Sequence, residues 1–118
     1  MTVFVKRAYV PSSPDDGYRV LVDRLWPRGV SKDKIQISEW LKTVAPSDGL
    51  RKSFHGGSIT WTEFKRRYIA ELKANDHDIQ RLASVAKEGD LTIVFGAHDQ
   101  EKNHALVLKE YLKKLGIS

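Results

Sequence analysis

The sequence predicts an α/β fold, in which a small, mostly parallel sheet carries helices on both faces. Three observations point to it. Three short segments rich in β-branched and aromatic residues are bounded by turn formers. After the second of them the apolar period changes from two to about 3.6. The second and third are separated by a long helical stretch, which makes them parallel neighbours, or nearly so, joined by a right-handed crossover.

The first strand is expected over Val3 to Arg7, and the segment PSSPDDG that follows is a loop, because Pro11, Pro14 and Gly17 interrupt regular structure. The second strand, Tyr18 to Arg24, and the third, Leu91 to Phe95, read as buried on both faces. A short helix can start at Ser31. Ser38 is suited to cap another that presents Trp40, Leu41 and Val44, and Ala45-Pro46 stops it, since a residue before proline resists the helical conformation. Ser47 then caps a helix with Leu50 and Phe54 one turn apart, ending at Gly56-Gly57.

Thr60 opens the clearest helix, with Trp61, Phe64, Tyr68 and Leu72 on one stripe and Lys65 and Arg66 facing water. Asp76 is placed to cap the next, where Ile79, Leu82 and Val85 line one face and Gly89 supplies a left-handed stop. After the third strand, Asp99 is expected to cap a last helix that buries Ala105, Leu108, Leu112 and Leu115. No repeat, low-complexity tract or linker divides the chain, so residues 1–118 are read as one domain.

Composition agrees with an ordered globule. Of 118 residues 41% are hydrophobic and 30% charged, too apolar for a disordered chain, and a globule of this length supports one core. Cysteine is absent, which removes disulfides, thiolate metal sites and a thiol nucleophile. MTVFVKRAYV lacks the apolar core of a signal peptide, and no apolar run approaches membrane-spanning length, so a cytoplasmic location without membrane contact is expected. The formal charge of +5 favours anionic partners. It leaves the oligomeric state open.

In open α/β sheets ligands gather beyond the carboxyl ends of the strands. Two segments emerge there. Asp23-Arg24-Leu25-Trp26-Pro27-Arg28-Gly29 combines an acid, two guanidinium forks suited to carboxylate or phosphate, and an indole that can wall a pocket. The plain alternative is an ion pair from Asp23 to Arg24 or Arg28 that ties the loop down, with Trp26 as core filler. Asn103 and His104 fall in the first turns of the last helix, where unpaired backbone N–H groups favour a neutral imidazole able to act as base or donor. Here the alternative is a buried, satisfied histidine.

Gly96-Ala97-His98-Asp99 occupies the position of a phosphate-binding turn, but one glycine is no dinucleotide fingerprint. Arg51 can lean over the same mouth. Lys65, Arg66 and Arg67 form a basic run that reads first as a solvated face, and Arg67 is one turn from Glu71, a spacing suited to a local pair. Should Glu71 and Tyr68 turn inward instead, they would support the pocket arginines from behind. The four histidines have no metal-ligand spacing, and no nucleophile elbow or Walker loop occurs, so no metal or cofactor is implied.

The motifs GYRVLVDRLWPRG, W-L-K with A-P-S-x-x-L-R, W-x-x-F-x-x-x-Y-x-x-E-L, and G-A-x-D with N-H-A follow one another at fixed spacing. In that order they closely resemble the YeaO-like family of small bacterial proteins, grouped under a domain of unknown function, from about Lys6 to Leu115. The resemblance implies an α/β fold and a bacterial or archaeal cytosolic protein, without an activity. Members look alike at Asp23, Arg24, Trp26, Pro27, Arg28, Arg51, Tyr68, Glu71, Asn103 and His104. His98 stands where relatives often carry lysine, so no essential chemistry is placed on it.

These readings converge on an anion-recognising site for a phosphate- or carboxylate-bearing small molecule. Arg24, Trp26, Arg28, Arg51 and Asn103 would bind it and His104 and Asp23 would serve as acid–base pair, hydrolysis or group transfer being the reaction class such a site would suit. The alternative is a nucleic-acid-binding or regulatory interaction module without catalysis, for which the net charge and the Lys65 to Arg67 run speak.

Overall fold

The computed structural model describes residues 2–116. Four strands, β1 (Val3–Arg7), β2 (Tyr18–Leu21), β3 (Glu39–Trp40) and β4 (Leu91–Phe95), form one sheet in the order β1-β4-β2-β3, and every pairing is parallel. Five helices accompany them: α1 (Lys32–Ile35), α2 (Asp48–His55), α3 (Trp61–Ala74), α4 (Asp76–Glu88) and α5 (His104–Lys114). Among the described residues no helix is long and apolar enough to cross a membrane.

Alternation along β2 and β4 divides the interior into two layers. Val20, Val22, Leu91, Ile93 and Phe95 join the larger core, which includes Leu50 of α2, Phe64, Tyr68 and Leu72 of α3, Ile79 and Leu82 of α4, and Leu108 and Leu112 of α5. Leu21 and Val94 enter a smaller core with Ala8 and Ile35, roofed by Trp26, Val30, Ile37 and Trp40. Helices therefore lie on both faces, but unequally. The second face is closed by one turn of helix and by the loop that carries Trp26.

Caps fix where most helices begin. The side chains of Ser31, Ser47 and Thr60 accept from the backbone N–H three residues on, at α1, α2 and α3. Four expectations fail at element ends. Asp99 does not start α5; its Oδ1 closes a turn by accepting from the N–H groups of Glu101 and Lys102, and Asn103 caps the helix instead. Helix α4 has Asn75 as its N-cap residue rather than Asp76, and Gly89 at its end is extended (φ −178°), not left-handed. Leu115 is 43% exposed, while Val107 takes a buried place on α5.

The largest departure lies at Ser38 to Val44. In place of a helix the chain adds the short edge strand β3, because the N–H groups of Ser38 and Leu41 bond the carbonyls of Arg19 and Leu21 at 2.7 and 2.9 Å. A single 3-10 turn, Lys42–Val44, follows and ends at Ala45-Pro46 as the proline requires. β2 is also shorter than expected. After Val22, whose N–H still reaches Val94 O at 3.0 Å, the chain leaves the sheet because both the carbonyl and the carboxylate of Asp23 are engaged elsewhere.

Two carboxylates tie neighbouring segments to the sheet, Asp16 in the turn before β2 and Glu39 on β3, which holds α4. Burial works against ionisation of Asp16, yet hydrogen bonds from the Lys6 ammonium, the Ser13 N–H and the Arg19 guanidinium hold its carboxyl below the usual range. Arg81 does the same for Glu39 against a smaller burial effect, with the Tyr18 hydroxyl adding to it. A carboxyl with a depressed folded pKa stabilises the fold fully above its unfolded value, near pH 4, and that contribution disappears as pH falls through the folded value. The melting temperature should accordingly hold from pH 7 to about pH 5 and fall below about pH 4. Thermal scans of Asp16→Asn and Glu39→Gln should show a shallower acid limb; an unchanged limb in both would place the acid sensitivity elsewhere.

Candidate functional site

The carboxyl ends of β2 and β4 are bridged by one side chain. Asp23 Oδ2 accepts from the Gly96 N–H at 2.8 Å, and a Cβ at position 96 would also lie 2.8 Å from that oxygen, so a side chain there would collide with the carboxylate. Trp40 Nε1 holds the Asp23 carbonyl from the other side at 2.6 Å. Asp23 is thus held from both sides, its carboxylate by the residue after β4 and its carbonyl by β3.

His104, the first residue of α5, places Nε2 3.0 Å from Asp23 Oδ1 and 3.1 Å from the Val22 carbonyl oxygen. Both neighbours are acceptors, so Nε2 carries a proton. The side chains are 13% and 17% exposed, enough for contact with a cavity and little enough for a fixed geometry. The ring also meets Tyr68 edge-on at 6.0 Å.

Around this pair opens a cavity of about 460 Å³. Arg24, Arg51 and Lys102 bring positive charge to it, Phe54, Trp61 and Phe64 form an aromatic wall, and Asp23, Asn103 and His104 lie in its lining. Its cations are weakly satisfied. Arg24 Nε donates to Pro46 O at 3.3 Å and is 3.9 Å from Asp48 Oδ1, which Arg51 Nη2 approaches at 3.4 Å, while among the described residues the buried Nε of Arg51 and the buried Oδ1 of Asp23 have no hydrogen-bond partner.

The segment that presents these groups is anchored from below. Glu71 accepts the backbone N–H of Ser47 at 2.8 Å and its hydroxyl at 2.6 Å, and the buried Tyr68 hydroxyl donates to Val44 O at 2.5 Å. Burial pushes the Tyr68 phenol far up, and the Glu71 and Asp23 carboxylates add to the shift, so it remains a donor. Glu71 thus faces inward, and Arg67 pairs with Glu63 rather than with Glu71.

Five of the seven residues singled out in the sequence therefore share one cavity: Asp23, Arg24, Arg51, Asn103 and His104. Two lie outside its lining. Trp26 packs edge-on against Trp40 at 5.3 Å in the smaller core and donates Nε1–H to Val30 O at 2.6 Å, the core-filling role. Arg28 is exposed, and its backbone carbonyl accepts from the Tyr9 hydroxyl. Asn103 is committed at both ends of its amide, to Leu106 N–H and to Asp99 O. The aromatic wall is what residue patterns did not single out, since Phe54, Trp61 and Phe64 read as a core stripe. No group of three or more His, Asp or Glu among the described residues is arranged to hold a metal ion.

Residues 2–115 match the family described as "Inactive DUF488-N3 subclade". The chain is 44% identical over 115 residues to "Uncharacterized protein YeaO" of Escherichia coli (strain K12), covering 98% of this chain and 100% of that one. It is 41% identical over 113 residues to "Uncharacterized protein Rv3073c" of Mycobacterium tuberculosis (strain ATCC 25618 / H37Rv), covering 93% and 92%. No solved structure matches the chain.

Proposed function

Because the chain belongs to the family described as the inactive DUF488-N3 subclade, we propose that it is a binding protein for a phosphate- or carboxylate-bearing small molecule, held at the cavity beyond β2 and β4 without group transfer. The observation that carries this reading is the pair Arg24 and Arg51. Two guanidinium groups share one distant carboxylate, Asp48, and a buried Nε is left without an acceptor. An anionic oxygen would supply what they lack. Among the described residues no serine, threonine or cysteine lines the cavity, so none of them offers a hydroxyl or thiol for covalent catalysis there.

Thermal shift with inorganic phosphate, acetate and a panel of larger phosphates and carboxylates tests the reading. A ligand at about a hundred times its Kd stabilises the fold by about 2.7 kcal/mol, a rise of several degrees for a domain of this size. Arg51→Gln should abolish most of that rise. No stabilisation by any of the anions, or the same rise in Arg51→Gln, would sink the proposal.

The contact between Asp23 and His104 favours a second reading, acid–base hydrolysis or transfer, because a carboxylate that orients an imidazole leaves Nδ1 to take a proton from a bound group. Turnover of a bound phosphate ester that His104→Ala abolishes, with affinity retained, would select it. Nucleic-acid binding has weaker support: Arg66 and Arg67 of the basic run are both paired with Glu63. Steep loss of affinity with added salt would mark that mode.

A further inference from the structure

We infer that the small molecule held at this cavity carries a flat aromatic ring, seated against Trp61 and Phe54, with its anionic group at Arg24 and Arg51. The inference rests on the anion-binding reading and adds the chemistry of the ligand's body. Size is the first argument. A volume of about 460 Å³ lies in the range of small-molecule sites, roughly 300–1,000 Å³. It would hold on the order of fifteen waters at about 30 Å³ each, so a bare oxyanion would leave most of it hydrated against an aromatic wall.

The wall itself is the second argument. Trp61 stacks on Phe64 with an interplanar angle of 16° and ring centres 5.4 Å apart, and Phe54 leans on both at 5.5 and 4.9 Å. Phe64, 4% exposed, belongs to the core. Trp61 and Phe54 are only partly buried, and both border the cavity. An apolar floor of alanine and leucine would close a core equally well. A platform of rings beside two guanidinium groups offers π faces to a planar ligand and donors to its charge.

Spacing points the same way. Arg51 and Phe54 are three residues apart on α2, hence about 5–6 Å between their Cβ atoms on one side of the helix. That offset matches a ring joined to its phosphate or carboxylate directly or through a short linker. A long aliphatic acid would use the arginines and leave the rings unmatched.

Calorimetric titration of the full chain with charge-matched pairs tests this: phenyl phosphate against inorganic phosphate, benzoate against cyclohexanecarboxylate, and adenosine monophosphate against ribose 5-phosphate. At least one ring-bearing member should bind about ten- to a hundredfold more tightly than its partner, and the advantage should collapse to about unity in Trp61→Leu. Arg51→Gln should weaken both members of that pair. Equal affinities within every pair, with loss in Arg51→Gln, would overturn the aromatic inference and leave the anion reading standing. No binding of any member, or no effect of Arg51→Gln, would remove both. Should Trp61→Leu not fold, Trp61→Phe keeps a ring on Phe64 while shrinking the platform, and an undiminished advantage in that variant counts against the inference.

Discussion

Gly17→Ala is expected to destabilise the fold by roughly 2–5 kcal/mol, from backbone strain and overpacking together. Gly17 has φ 65° and ψ −132°, a conformation that a Cβ makes strongly unfavourable. Space is missing as well. The added carbon would lie 2.3 Å from the carbonyl oxygen of Asp90 and 2.9 Å from its carbonyl carbon, which are backbone atoms and cannot swing aside. That same oxygen accepts the Tyr18 N–H at 2.9 Å, so relief by movement would part β2 from β4 at their first residues. Urea denaturation should show a lower midpoint with an unchanged m-value. A loss below about 1 kcal/mol would mean that the loop relaxes without disturbing the strands.

Asp16→Ala is the second large loss, about 3–5 kcal/mol, the usual consequence of breaking a buried ion pair by removing one member. Asp16 takes Arg19 Nη1 at 2.6 Å, Lys6 Nζ at 2.7 Å and the Ser13 N–H at 2.9 Å, and Arg19 is only 4% exposed. Without the carboxylate a guanidinium charge stays buried, still pinned to the carbonyls of Ile35 and Gln36 at the end of α1. Asp16→Asn keeps an acceptor and should lose less. Lys6→Met, at a position 27% exposed, should change stability by less than about 1 kcal/mol. Equal losses for Asp16→Ala and Lys6→Met would show that the charge of Arg19 is not what the site compensates.

What was legible in the sequence followed from local rules. The three long strands, the caps at Ser31, Ser47 and Thr60, and the stop at Ala45-Pro46 depend on residues within a turn or two of the feature. Glu39–Trp40 was not legible, because its strand character comes from the free edge of β2 and not from its own pattern. The site divides the same way. Asp23, Arg24 and His104 were accessible to reasoning because strand ends and helix starts converge in any parallel sheet. Trp26 and Arg28 share their heptapeptide, yet the first packs on the smaller core and the second faces solvent. Phe54 and Trp61 were hidden in the opposite manner, since a ring that walls a pocket and a ring that fills a core carry the same helical spacing.

The order of strands also governs when the chain can fold. Thr2, just before β1, and Asp90, just before β4, are joined by a hydrogen bond although 88 residues separate them, and β1 pairs with β4 and no other strand. During synthesis at about 5–20 residues per second, the N-terminal strand therefore waits roughly 4–18 s for its partner to be made. Throughout that interval Val3, Phe4 and Val5 have no ladder to join. Helix α5, whose contacts include both β1 and β4, follows them in the chain, so the sheet and the helix that covers it come together only after the stretch from Leu91 to Lys114 has been made.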